Sequence, residues 1–225
     1  MADDDWFSTG SDAAENALSK DDKKKEERKA AAEGELWRWW MKPGEEKFLT
    51  FVDGEEANGL QVPFIYQEHQ QKIDGDYRNW FTCIDGMVTE EGKKLRCPLC
   101  QAGNNPYLAA AFTVIDHTEW TSKKGDKTGK DDLKLFVCKS QVLKMLRKQM
   151  KKKGGSLRGC KYEVTRTGDK TPNTGDVFDF EDKIELSDEV KVADYRMLMK
   201  PKSRKELLTI VGDVGGDGSE EEVKF

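Results

Sequence analysis

The sequence predicts a mainly β fold with some α, arranged as a small Greek-key barrel, and three observations carry that prediction. Short alternating or β-branched runs recur between turn residues. One amphipathic helix stands among them, and no stretch approaches the ~18 uninterrupted apolar residues of a membrane span. Residues 47–52 read as the first strand, ended by the Asp53-Gly54 turn, and 62–66 as the second, with Pro63 near its start. Residues 109–115 and 133–138 form a hairpin pair about the polar loop 121–131. The helix is Ser140–Lys152, where Val142, Leu143, Leu146 and Met150 make one apolar stripe, Ser140 is the cap and Gly154-Gly155 the stop. Residues 161–166 alternate strictly, Gly168-Asp169 turns the chain, and 177–180 return. A shorter helix is expected within 188–198. Five or six short strands about one helix suit a barrel of the OB type.

Charged residues make up 36% of the 225, against an ordinary quarter, and the mean hydropathy is −0.81. The opening Met-Ala-Asp-Asp-Asp-Trp has neither the basic nor the apolar region of a secretory signal, and five cysteines are poor material for a disulfide scaffold. A soluble intracellular protein is expected, with no membrane partner. Residues 1–35 carry a net −5 and 212–225 a net −4, leaving +4 on the body between them. Residues 1–34 read as a flexible charged arm, 35–211 as the core, and 212–225 as an acidic disordered tail.

Cysteine and histidine spacing points to a metal. His69 lies upstream of Cys83, Cys97 and Cys100, and Cys97-Pro98-Leu99-Cys100 is a tight turn that sets two thiolates on one cation. Three Cys and one His form a closed tetrahedral zinc set. The reading is one structural Zn2+ held by His69, Cys83, Cys97 and Cys100, in a zinc subdomain at about residues 67–105. The alternative is a buried Cys pair with a surface His. A redox dithiol would want a βαβ setting, and a zinc nucleobase deaminase needs a Glu two residues after its His, where this chain has Gln71. Cys138 and Cys160 fall in or beside strands and read as small buried hydrophobes, and His117 as a loop residue.

Between Lys139 and Lys161 there are nine basic residues and no acid. Lys144, Arg147, Lys148 and Lys151 recur at helical spacing as one positive face. Such a run alone is as well explained by an ordinary solvated face. Aromatic residues interleaved with bases favour a polyanion: Trp37, Trp39, Trp40, Tyr66, Trp80, Phe81, Tyr107, Trp120 and Tyr162 are interspersed with Arg38, Lys42, Arg78 and Arg166. A basic surface with stacking rings holds single strands without reading sequence. The candidate contacts are therefore Trp39, Lys42, Tyr66, Trp80, Tyr107, Lys139, Lys144, Arg147, Lys148, Lys151, Lys161, Tyr162 and Arg166.

Five runs resemble a known family: Trp39-Trp40-Met41-Lys42-Pro43-Gly44-Glu45, Phe64-Ile65-Tyr66-Gln67-Glu68-His69, Cys97-Pro98-Leu99-Cys100-Gln101-Ala102-Gly103, Ala111-Phe112-Thr113-Val114-Ile115-Asp116 and Tyr162-Glu163-Val164-Thr165-Arg166-Thr167-Gly168. They look like those of tailed-phage single-stranded-DNA-binding proteins, related to the zinc-containing helix-destabilising protein of T-even phages. The resemblance covers residues 36–186, and the His…Cys…Cys-x-x-Cys order is its most specific part. It implies an OB-fold core with a zinc subdomain inserted between early strands. It also implies a role in phage DNA replication, recombination and repair, in the cytoplasm of the infected bacterial host. The acidic end, Glu220, Glu221, Glu222 and Phe225, is similar to the tails with which such proteins dock replication and recombination proteins.

The expectation is sequence-independent binding of single-stranded DNA and not an enzyme, since neither a Walker loop nor a nucleophile elbow occurs. The alternative is a zinc-ribbon regulator acting on host transcription or replication machinery.

Overall fold

The computed structural model describes residues 36–214 except 55, 58–59, 62–63, 74, 122–124 and 126–127; the 1–34 arm and the acidic run ending at Phe225 lie outside the described residues. The chain forms β1 (Glu46–Phe51), a small β2–β3 pair (Glu56–Ala57, Leu60–Gln61), β4 (Phe64–Ile73), β5 (Asp76–Thr82) and a one-turn α1 (Pro98–Gln101). β6 (Tyr107–Asp116), a small β7–β8 pair (Trp120–Thr121, Thr128–Gly129), β9 (Asp132–Lys139) and α2 (Ser140–Lys152) follow. β10 (Cys160–Thr165), β11 (Val177–Lys183), α3 (Tyr195–Leu198) and α4 (Arg204–Val214) complete it. The fold is mainly β, built on one seven-stranded sheet. No helix among the described residues is long and apolar enough to cross a membrane.

β6 is the centre because its sequence is apolar on both faces: Ala109, Ala110, Ala111, Phe112, Thr113 and Val114 are all buried. β9 pairs antiparallel along one edge, while β4 and then β1 share the other. β1 continues to β10 and β11, and β4 to β5. The expected 109–115/133–138 hairpin is therefore present, and so is the return of β11 on β10, with a bulge at Lys161/Tyr162.

Alternation along β10 sends Cys160, Tyr162 and Val164 inward. There Phe51 packs edge-to-face on Phe112, Phe136 and Tyr162, with ring centroids 5.5, 5.6 and 5.8 Å apart. The apolar stripe of α2 covers this cluster, and Cys138 and Cys160 are buried in it as small hydrophobes. Gly159 permits the close approach of the chain after β11: it has φ +78°, and a Cβ there would lie 2.2 Å from the Ile184 carbonyl oxygen. Before β1, Leu135 in β9 donates its N–H to Trp37 O and accepts at its O from Trp39 N–H, and Met41 N–H donates to Asn173 O between β10 and β11.

Four local expectations are corrected. The helix cap is Lys139, without a side-chain cap bond, and Ser140 is already helical. The second strand runs on to Ile73 and turns back as β5, because Gly75, with φ +83°, allows the reversal. The expected 188–198 helix is only the single turn Tyr195–Leu198, capped by the Asp194 carboxylate accepting from Met197 N–H. Helix α4 was not foreseen and reaches Val214, inside the segment read as tail. Its signal was a capping box: Glu206 accepts from Ser203 N–H, and Ser203 Oγ accepts from Glu206 N–H.

Candidate metal centre and nucleic-acid interface

The four expected ligands come together. His69 projects from β4, Cys83 follows β5, Cys97 caps α1 and Cys100 lies within it. Between Cys83 and Cys97 the chain folds as a small hairpin: Gly86 N–H donates to Leu95 O and Leu95 N–H to Met87 O, which returns Cys97 to Cys83. All four ligand atoms lie within 4.8 Å of one another. Cys83 Sγ is 3.6 Å from Cys100 Sγ, and His69 Nε2 is 3.4 Å from Cys97 Sγ and 3.6 Å from Cys100 Sγ. A tetrahedron with zinc–sulfur and zinc–nitrogen bonds of ordinary length has S···S edges of about 3.8 Å and S···N edges of about 3.6 Å. The donor set and its spacing fit a metal ion.

Surrounding groups orient these ligands. His69 Nδ1 bonds Asn104 Oδ1 (3.3 Å), which leaves Nε2 toward the sulfurs. Asn104 is itself fixed, its amide donating to Gln70 O and to the Gln71 side chain. Asp85 ties the cysteines together: its N–H donates to Cys83 Sγ and its carboxylate accepts from Cys97 N–H. Burial holds His69 below its ordinary pKa, in the neutral form a metal binds. Burial, then the hydrogen bond to Cys83, pushes the Cys100 thiol up to about 12, and burial raises Cys83 as well. A cation entering the cluster must displace thiol protons, so acid opposes its binding.

The candidate nucleic-acid residues divide. Lys144, Arg147, Lys148 and Lys151 are exposed on α2, opposite its buried stripe, and Lys42 and Lys139 are exposed too. Trp80, Tyr107 and Lys161 are half-buried. Trp39, Tyr66, Tyr162 and Arg166 are buried, which removes them as surfaces for a base. Tyr162 and Trp39 fill the main core. Arg166 is consumed internally, donating to Met41 O and Asp169 O. Tyr66 donates its hydroxyl to Glu68.

Residues facing each other in the ladder share a face. Glu68 pairs with Tyr107 and Thr82, Gln70 with Trp80, and Ala109 with both Tyr66 and Lys139. Tyr66, Glu68, Trp80, Tyr107 and Lys139 therefore stand on one face, and His69 leaves from the other. On that face the Arg38 guanidinium lies over Trp80, its Cζ 4.1 Å from the ring centroid, and Lys139 Nζ stands 4.2 Å over the Tyr107 ring. Sequence reasoning placed Arg38 among the bases interleaved with rings but not among the contacts, and it missed Glu68; no local pattern distinguishes a carboxylate whose partner is thirty positions away.

A separate chain of bonds joins Thr50 Oγ1 to His117 Nε2 (2.8 Å) and His117 Nδ1 to Asp131. It has the order of a hydroxyl–imidazole–carboxylate triad. Thr50, however, is fully buried within β1 and paired on both edges, so no substrate carbonyl reaches its oxygen. The bonds fasten the β6–β9 connection to β1, and His117 is a loop residue apart from the metal cluster. No family model, curated protein or solved structure matches this chain.

Proposed function

We propose that the chain binds single-stranded DNA without sequence preference, as an OB-type barrel stapled by one structural zinc, and that it is not an enzyme. The observation that carries this reading is the pairing of cations with half-buried rings on one sheet face, beside a helix whose outer face is basic. Arg38 on Trp80 and Lys139 on Tyr107 offer planes for bases, and Lys139 is also the cap of α2, from which Lys144, Arg147, Lys148 and Lys151 project into solvent. Phosphates meet the lysines while bases meet the rings. The backbone bonds that join Trp37–Trp39 to β9 and Met41 to the β10–β11 loop support a closed barrel.

Zinc is the ion of choice for a closed three-thiolate, one-imidazole set, and its task there is to hold the lobe together. In the setting the resemblance implies, the protein coats phage DNA in the host cytoplasm during replication, recombination and repair, and its acidic end docks partner proteins. The test is a titration with oligo-dT, followed by tryptophan fluorescence, together with metal analysis. Quenching that salt reverses, with one zinc per chain, is the expected result. No quenching at low salt overturns the reading.

A further inference from the structure

Glu68 is almost wholly buried, yet every acceptor position of its carboxylate is used. Oε1 accepts from Arg38 Nη2 and from Tyr66 OH (2.7 Å); Oε2 accepts from Arg38 Nη1 (3.1 Å) and from Tyr107 OH (2.6 Å). A carboxylate has about four lone-pair sites, so this one is saturated. Burial would lower the Arg38 pKa, but the Glu68 hydrogen bond and charge outweigh it and hold the guanidinium above its usual value. Burial and the Glu68 charge keep the Tyr66 and Tyr107 hydroxyls above their usual range, as donors.

We propose that Glu68 is a positioning residue for the base-binding surface: its fork holds the Arg38 guanidinium over Trp80, and its bond to Tyr107 fixes the second ring beneath Lys139. The inference rests on the DNA-binding reading and says which groups make the surface and what each supplies. The fork is bidentate, which fixes a plane and not merely a distance. A guanidinium plane is itself a stacking surface for a base. Because Glu68 neutralises Arg38, Arg38 supplies a plane and little net charge. The cations that release counterions are those with no carboxylate partner among the described residues, Lys139 and the lysines of α2.

This division has a measurable consequence. The salt slope of single-strand binding counts neutralised phosphates at about −0.7 each. Arg38→Lys keeps the charge but loses the fork and the plane, so affinity for oligo-dT should fall about tenfold, the scale of one lost base stack, with the slope unchanged. Glu68→Gln leaves the Arg38 charge unneutralised; affinity should change while the slope steepens by about 0.7 as that charge takes up a phosphate. A carboxylate that only stabilised the fold would leave the slope alone.

The experiment uses full-length, metal-loaded protein labelled with 5-fluorotryptophan, with Trp80→Phe assigning the Trp80 resonance. Without DNA, Glu68→Gln and Arg38→Lys should both shift that resonance while metal content stays at the wild-type level. Oligo-dT titrations at several salt concentrations then read the slopes. An unmoved Trp80 resonance, or an unchanged slope in Glu68→Gln, overturns the proposal. Failure of the wild-type protein to bind oligo-dT overturns the DNA-binding reading instead, and the fluorine spectrum of the DNA-free protein separates the two outcomes.

Discussion

Two buried oxygens show how differently single residues are treated. Glu68 has all its bonds, whereas the Tyr162 hydroxyl is buried with no hydrogen-bond partner among the described residues. An unpartnered buried hydroxyl costs free energy, so Tyr162→Phe should be neutral or stabilise the fold by up to about 1 kcal/mol in denaturant melts. It should also leave oligo-dT affinity unchanged; a weakened complex would restore Tyr162 as a contact. Asp53 is a third case. Its carboxylate accepts from Thr113 N–H (3.1 Å) and Tyr195 OH, but burial outweighs both and pushes its pKa up to about 6. The folded state then holds a proton that the unfolded chain, with an aspartate pKa near ~3.9, has already released. Its contribution is full below about pH 4 and is lost as pH rises through about 6. Melts of wild type against Asp53→Asn should show the wild type losing ground between about pH 4 and pH 6; parallel curves would refute the assignment.

At the scale of elements, β4 does two jobs through its pleat. Successive residues leave opposite faces, so His69 reaches the three cysteines while Glu68 reaches Arg38 and the tyrosines. Helix α2 divides its duties by the 3.6-residue turn, burying Leu146 and Met150 and exposing the lysines. Replacing Lys144, Arg147 and Lys151 with Ala should therefore lower the salt slope toward zero by up to about 2 without reducing the melting temperature. Helix α4 spends its apolar side on the metal lobe: Leu207 is fully buried against Cys83, Ile84, Cys97 and Leu99, with Ile210 and Val211 beside it. Leu207→Ala should cost about 2–5 kcal/mol of the stability of that lobe and hasten metal loss to a chelator. Unchanged metal retention would show that α4 merely rests there.

Across the whole molecule, the stretch after β11 straps the sheet to the metal lobe. Ala193 N–H donates to Thr113 Oγ1, Tyr195 stacks on Phe64, and Thr82 Oγ1 donates to Met199 O before α4 docks. The His/Cys cluster, with or without an ion, thus sits where the C-terminal segment meets the β4–β5 hairpin. Chelation should lower the melting temperature and speed hydrogen exchange in α4 and β5 well before β10, whose core of Tyr162, Phe51 and Phe178 stands apart from the cluster. Uniform exchange across all three would mean that the two lobes unfold as one.

Local pattern determined what depends on near neighbours. Alternation specified β10, helical spacing specified α2, and the Cys-x-x-Cys turn with His69 and Cys83 announced a ligand set that could hold a metal ion. Periodicity and ligand spacing are properties of consecutive residues, so they are visible before folding. Which aromatic rings are buried is not such a property. Tyr162 and Trp39 carry the same chemistry as Tyr107 and Trp80, and only the sheet that closes over the first pair separates core from surface. The same holds for Glu68: in the chain it is one acid among 43, and only the return of Arg38 and Tyr107 to β4 makes it the hub of a surface. Burial and long-range pairing are decided by how distant segments meet, and that is a property of the tertiary structure alone.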